Sequence, residues 1–148
     1  DVCSSDLFNV PIGSNKNPAL YDEENIISAS RALQRVHLDE QDFRDTLSQL
    51  GPGDFAYIDP PYVPLTATAN FTSYAKEDFG PEEQRELAAQ FTAAAGRGAR
   101  LMLSNSDTPF VRQLYQRFQI HAVKARRAIN CDGSKRGEVS EVVIVAGG

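Results

Sequence analysis

The most constraining stretch of the chain is a short apolar run that stops on a proline pair, Phe55-Ala56-Tyr57-Ile58 followed by Asp59-Pro60-Pro61-Tyr62. The run is made of strand formers and is continuous rather than alternating. That pattern predicts a strand buried on both faces, as in a parallel sheet. Proline cannot extend a central ladder, so the backbone must turn at Asp59. Parallel strands need long crossovers, usually helices, and the flanking sequence supplies them.

Phe43, Leu47 and Leu50 fall at i, i+4 and i+7, which predicts a helix over 40–50 ended by Gly51-Pro52-Gly53. Residues 23–34 suit another helix, and Arg35–Leu38 a short strand with Val36 and Leu38 on one side. Pro81 opens a helix with Glu82 and Glu83 in its first turn. Its apolar face is Leu87, Ala88, Phe91, Ala94 and Ala95, and Gly96-Arg97-Gly98 stops it. A strand over Arg100–Ser104 is predicted around Leu101-Met102-Leu103. A helix over 108–117 turns Phe110, Val111 and Leu114 inward. Phe118–Val123 and Val139–Ala146 read as strands, and with no helix between them they should pair antiparallel. Residues 8–22 read as loop, with a short strand at Phe8–Pro11. The expected class is α/β, a mostly parallel sheet closed by an antiparallel C-terminal hairpin.

A chain of 148 residues with 41% hydrophobic residues suits one globular domain. No stretch reaches the roughly 20 apolar residues of a membrane span, and no secretion signal opens the chain. Two cysteines, Cys3 and Cys131, build neither a disulfide framework nor a zinc knuckle, and no metal is expected. His37 and His121 stand far apart in strand contexts and read as structural. The net charge of −5 is unlike that of a nucleic-acid binder, so such a role needs a local patch. The stretch 124–138 offers one: Lys124, Arg126, Arg127, Lys135 and Arg136 against Asp132. It could be a solvated face or a set of phosphate contacts. Residues 1–7 resemble the translated sequence of a common sequencing adapter. Setting them aside removes Asp1 and Asp6 and leaves a charge of −3; the alternative is an ordinary capped turn.

Ligands of open α/β sheets bind beyond the carboxyl ends of the strands, which is where Asp59 sits. Two prolines stiffen a turn that carries a carboxylate, a free carbonyl and an aromatic ring. Such a turn suits an amino group on a flat ring: Asp59 and the Pro60 carbonyl each accept one N–H, and Tyr62 stacks on the ring. Ala56-Tyr57-Ile58-Asp59-Pro60-Pro61-Tyr62 resembles the catalytic motif of N6-adenine DNA methyltransferases. Four further segments are similar to the Dam-type branch of that family. They are Pro64–Tyr74 after the motif, Leu103–Thr108 at the next strand end, Lys124–Asn130 with Arg136 and Glu138 in the final hairpin, and Phe8–Gly13. The last is similar to the tail of the family's target-recognition region. Together the five matches are spread along nearly all of residues 8–145.

The resemblance implies a Rossmann-like S-adenosylmethionine-dependent methyltransferase fold and methyl transfer to a flipped-out adenine of double-stranded DNA, with GATC as a candidate target. It implies catalytic roles for Asp59, Pro60, Pro61 and Tyr62, and contact with S-adenosylmethionine at Asp59, Asp42 and Phe43. Phe43 equally fits the core face of its helix. It implies DNA contact at Asn9, Pro11, Lys16, Phe71, Tyr74, Arg126, Arg127, Lys135 and Arg136, although Phe71 and Tyr74 could simply anchor their loop. The implied setting is a monomeric, cytoplasmic, nucleoid-associated enzyme of a bacterium or phage, in a restriction-modification system or alone. N4-cytosine or RNA amino-methylation, and an inactive DNA-binding remnant, stay open as alternatives.

Two family features are missing. The glycine-rich donor-binding motif, which precedes the recognition region in this branch, does not occur. Ser14-Asn15 stands where the branch often carries a DNA-wedging aromatic. The expectation is a fragment from the carboxyl-terminal part: 1–7 artefact, 8–22 end of the recognition region, 23–148 part of the catalytic domain. Such a fragment would be inactive and aggregation-prone by itself.

Overall fold

A computed structural model of the protein describes residues 21–65, 79–126 and 138–147. They belong to two compact units, divided between Glu40 and Gln41.

The first unit contributes one described helix, α1 (Glu23–Leu33). Asp22 caps it by accepting from the Asn25 N–H at 3.1 Å. The strand expected at Arg35–Leu38 is absent. The N–H groups of Arg35 and Val36 are spent on Ala32 and Leu33 carbonyls in the turn that closes α1. Val36 and Leu38 are exposed.

The second unit runs α2 (Phe43–Gln49), β1 (Phe55–Ile58), α3 (Pro81–Gly96), β2 (Arg100–Ser106), α4 (Pro109–Leu114), β3 (Gln119–Arg126) and β4 (Glu138–Ala146). The strands form one sheet in the order β1-β2-β4-β3. β1 and β2 are parallel and joined through α3, while β4 is antiparallel to both β2 and β3. The C-terminal hairpin is as expected. The mostly parallel sheet is not: β4 folds back between β2 and β3, so the sheet is mixed. A two-strand hairpin can insert its returning strand where a crossover would need a helix.

Register explains the layers. Ala56, Leu101 and Ala146 share one face, as do Ile58, Leu103 and Ile144. This face packs on Leu47 of α2, on Leu87, Ala88, Phe91 and Ala94 of α3, and on Val111 of α4 in one cluster. Phe91 meets Tyr115 and Phe118 edge to face, with ring centroids 5.3 and 4.9 Å away. The opposite face carries Phe55, Tyr57 and Met102. Phe55 and Tyr57 are 57% and 58% exposed. Within the described residues of this chain, β1 is covered on one face only, where two covered faces were expected. β1 alternates, because the described helices of this unit gather on one face only.

Turn chemistry closes the elements. Gly53, at φ 93°, takes the left-handed position of a turn in which Asp54 N–H reaches the Gly51 carbonyl at 3.2 Å. The glycine expected to stop α2 thus works two residues later than a helix stop would. Gly98, at φ 96°, ends α3 as expected. Between these turns Arg97 donates to the Leu47 and Leu50 carbonyls, satisfying the open end of α2.

Candidate active site

β1 and β2 run in one direction, so their carboxyl ends lie together. β2 is the longer, pairing with β1 only as far as Leu103, opposite Ile58. Ser104, Asn105 and Ser106 extend past that point, and the Asp59–Val63 turn crosses the strip of β2 that β1 leaves unpaired. Two sets of polar contacts, one on each face, fasten the turn there.

On the open face, alternation places Tyr57 and Ser104 side by side. The Ser104 Oγ stands 2.8 Å from Asp59 Oδ1 and 2.9 Å from the Tyr57 hydroxyl. Asp59 itself is solvent-exposed. Tyr62 is half-buried against the same group. Burial raises its pKa, a hydrogen bond with Ser104 works the other way, and the negative charges of Asp59 and Glu141 raise it further. Tyr62 is therefore a neutral ring at physiological pH, fit to stack rather than to act as a base.

On the helix-covered face, two fully buried amides hold the turn by its backbone. Gln84 Nε2 donates to the Pro61 carbonyl at 2.7 Å, and Asn105 Nδ2 donates to Gln84 Oε1 at 3.2 Å. Asn105 Oδ1 accepts from Val63 N–H at 3.0 Å and from Ser106 N–H at 2.8 Å. Gln84 and Asn105 are both 0% exposed. Three hydrogen bonds thus connect α3, β2 and the turn without involving Asp59, and a fourth within β2 helps to fix the Asn105 amide. Among the described residues, Asp59 Oδ2 and the Pro60 carbonyl have no hydrogen-bond partner. The turn accordingly offers two acceptors beside an aromatic ring.

The other expected site residues make none of these contacts or fall outside the described residues. Asp42 caps α2, accepting from Arg44 N–H at 2.8 Å, and pairs with the Arg44 guanidinium at 3.1 Å. Phe43 is half-buried and meets Phe79 edge to face at 5.8 Å. Asp107, at the end of β2, is held below the usual carboxylate range by its hydrogen bonds from Arg112. Arg126 ends β3. Asn9, Pro11, Lys16, Phe71, Tyr74, Arg127, Lys135 and Arg136 fall outside the described residues, as does Cys131. His37 is exposed beside Asp39, 3.9 Å away, and His121 is an exposed residue of β3. Among the described residues no helix is long and apolar enough to cross a membrane.

Tyr57, Gln84, Ser104 and Asn105 had no assigned role in the sequence reading. The signal available for Gln84 was its place on the same helical stripe as Leu87, Ala88 and Phe91, where a polar residue must find a buried partner. For Ser104 and Asn105 it was the switch from apolar to polar inside a continuing strand.

The fold and the turn define a mixed α/β protein with two open acceptors beside an aromatic ring at a strand end, and the comparisons with known proteins place it in a family. The model of the D12 class N6 adenine-specific DNA methyltransferases matches residues 2–129, and the chain belongs to this family. The type II methyltransferase M1.LlaDCHI of Lactococcus lactis subsp. cremoris is 39% identical over 145 residues, which are 97% of this chain and 51% of the relative. M.MjaIII of Methanocaldococcus jannaschii, also a type II methyltransferase, is 43% identical over 140 residues, 93% of this chain and 48% of the relative. The DNA adenine methylase of Escherichia coli K12 is 37% identical over 136 residues, 92% and 49%. The chain spans about half the length of the curated relatives it matches.

Proposed function

We propose that this chain is the carboxyl-terminal part of an S-adenosylmethionine-dependent methyltransferase with a Rossmann-like fold. Its substrate is the N6 amino group of an adenine flipped out of duplex DNA, and GATC is the candidate target. The observation that carries the reading is the Asp59–Tyr62 turn: two acceptors without partners among the described residues, braced from both sides by β2 and α3.

An adenine amino nitrogen is a poor nucleophile because its lone pair is delocalised into the ring. Asp59 Oδ2 and the Pro60 carbonyl each accept a hydrogen bond from one of its N–H groups, which draws the nitrogen toward tetrahedral geometry and localises the lone pair. The Asp59 charge stabilises the positive charge that develops there. Tyr62 stacks on the flipped base, worth about 1–3 kcal/mol. The bracing keeps both acceptors in place before substrate arrives, so little reorganisation remains for the reacting state.

S-adenosylmethionine supplies the methyl group when bound. This chain fits it in part: Asp59 can hold it beside the target amine, and Asp42 and Phe43 lie together at the start of α2. In the structure those two are engaged by Arg44 and Phe79. The rest of the donor site belongs to the half of the protein that the relatives have and this chain does not span. DNA phosphates are the partners of Lys124, Arg126, Arg127, Lys135 and Arg136, and Asn9, Pro11, Lys16, Phe71 and Tyr74 supply further DNA contacts. The enzyme is a monomer of the bacterial or phage-infected cytoplasm.

The test is Asp59→Ala in the full-length protein, assayed by radiolabelled methyl transfer to a duplex with one target adenine. Losing a preorganised charged contact of this kind costs roughly 10²–10³ in rate. DNA affinity, supplied mainly by phosphate contacts, stays near the parent value. Adenine methylation at the parental rate by the variant refutes the reading, and transfer to cytosine instead replaces it with the N4-cytosine one.

A further inference from the structure

We infer that Ser104 is a positioning residue that fixes the Asp59 carboxylate and decides which of its oxygens faces the target amine. The inference rests on the proposed amino-methyl transfer and concerns the same turn.

Proton counting orients the cluster. Ser104 has one hydroxyl proton, and a carboxylate can only accept. The 2.8 Å contact with Asp59 Oδ1 is therefore donated by Ser104. That proton cannot also serve Tyr57, so the 2.9 Å contact between the two hydroxyls is donated by Tyr57. Ser104 thus accepts from the Tyr57 hydroxyl and passes a single donor bond to Asp59.

The consequence falls on Asp59. Its side chain is exposed and otherwise free to rotate about Cβ–Cγ. With Oδ1 held by a serine that is itself only 6% exposed, the carboxylate plane is set and Oδ2 is left to the substrate. The backbone does not depend on this contact, because Gln84 and Asn105 hold Pro61 and Val63 from the opposite face. Position of the turn and orientation of the carboxylate are therefore separately controlled. Ser104 also contributes little to stability through this contact, since Asp59 and Tyr57 are exposed and water can replace it.

The experiment is steady-state and single-turnover methyl transfer by full-length Ser104→Ala, Ser104→Thr, Asp59→Ala and the Asp59→Ala/Ser104→Ala double variant, with thermal melting alongside. Ser104→Ala should lower kcat by roughly 10- to 100-fold, the scale of a misplaced catalytic group. KM for DNA and donor, and the melting midpoint, should hardly change. Ser104→Thr keeps the hydroxyl and should restore most of kcat. The double variant should be no slower than Asp59→Ala, because a residue acting through Asp59 has nothing to act on once it is gone. A kcat for Ser104→Ala within about twofold of the parent overturns the inference, as does a double variant slower by the product of the two effects. If Ser104→Ala fails to fold, exposed Tyr57→Phe takes its place. Losing one neutral hydrogen bond to Ser104 should lower kcat by about 2- to 10-fold, and an unchanged kcat overturns the inference equally. Asp59→Ala at full rate would instead defeat the proposed function. An inactive Asp59→Ala beside a fully active Ser104→Ala defeats the role of Ser104 alone.

Discussion

Replacing Asn105 with Leu should be among the most damaging single changes in the chain, for reasons that can be counted. Leucine is apolar and close in size, so it opens no cavity and leaves the hydrogen bonds as the main term. Three groups lose their partner: the N–H of Val63, the N–H of Ser106 and Oε1 of Gln84, all in buried contacts. Each orphaned buried group costs about 1–3 kcal/mol, or roughly 3–9 kcal/mol for all three. Local relaxation of the turn recovers part of this, which favours the lower part, about 3–5 kcal/mol. A small domain has only about 5–15 kcal/mol in total. Gln84→Leu should cost less, about 1–3 kcal/mol, because it orphans buried Asn105 Nδ2 whereas Pro61 is exposed and can take water. The double variant should be less destabilised than the sum, since Gln84 Oε1 no longer exists to be orphaned. Urea unfolding of the full-length protein, followed by far-UV circular dichroism, measures all three. A cost below about 1 kcal/mol for Asn105→Leu would refute the bracing argument. Strict additivity of the two substitutions would refute the pairing of the amides.

Two further outcomes follow from burial and charge. Tyr115 is fully buried with a hydroxyl that has no partner among the described residues, and burial pushes its pKa far above the ordinary value. The folded state resists its ionisation while the unfolded chain does not, so its contribution holds below pH of about 10 and is lost as pH rises, at up to about 1.4 kcal/mol per unit. Tyr115→Phe should flatten this alkaline loss and leave neutral stability unchanged or slightly raised; a parallel alkaline decline in melts of both proteins would contradict it. On the proposed function, Arg126→Ala or Lys135→Ala in the full-length protein should weaken DNA binding evenly across sequences and reduce the salt slope by about one; unchanged affinity and slope in fluorescence titrations at several salt concentrations would make the stretch a solvated face.

The sequence was most legible where one local rule decides the outcome. Pro81 with Glu82 and Glu83 announced the start of α3, and Leu87, Phe91 and Ala94 its buried side, because both depend on neighbours along one helix. The carboxylate, carbonyl and ring of Asp59–Tyr62 were legible because two prolines leave the backbone few options. What stayed hidden depends on partners far apart in sequence. Arg35–Leu38 has strand composition, yet a strand exists only where a ladder accepts it, and its first N–H groups close a helix instead. The exposure of Phe55 and Tyr57 follows from which face the helices cover, which their own residues do not encode. The insertion of β4 between β2 and β3 is likewise a choice among pairings with the same local pattern.

The site divides along the same line. The groups that touch the target base in the proposed reaction, Asp59, Pro60 and Tyr62, lie in one contiguous stretch and carry its chemistry openly. The groups that hold them come from β1, α3 and β2: Ser104 lies 45 residues from Asp59, and Asn105 lies 42 from Val63. Each is a common polar residue whose type alone suggests nothing. For Gln84, Ser104 and Asn105 the importance comes from burial, since a polar atom sealed from water must be paired, and the pairing then transmits position from the rigid sheet to the turn. A strand that outruns its parallel neighbour is the simple source of this arrangement. The overhang of β2 past Ile58 turns one side chain to each face, Ser104 toward the carboxylate and Asn105 toward the backbone. Alternation along a single strand thereby separates the control of charge orientation from the control of turn position.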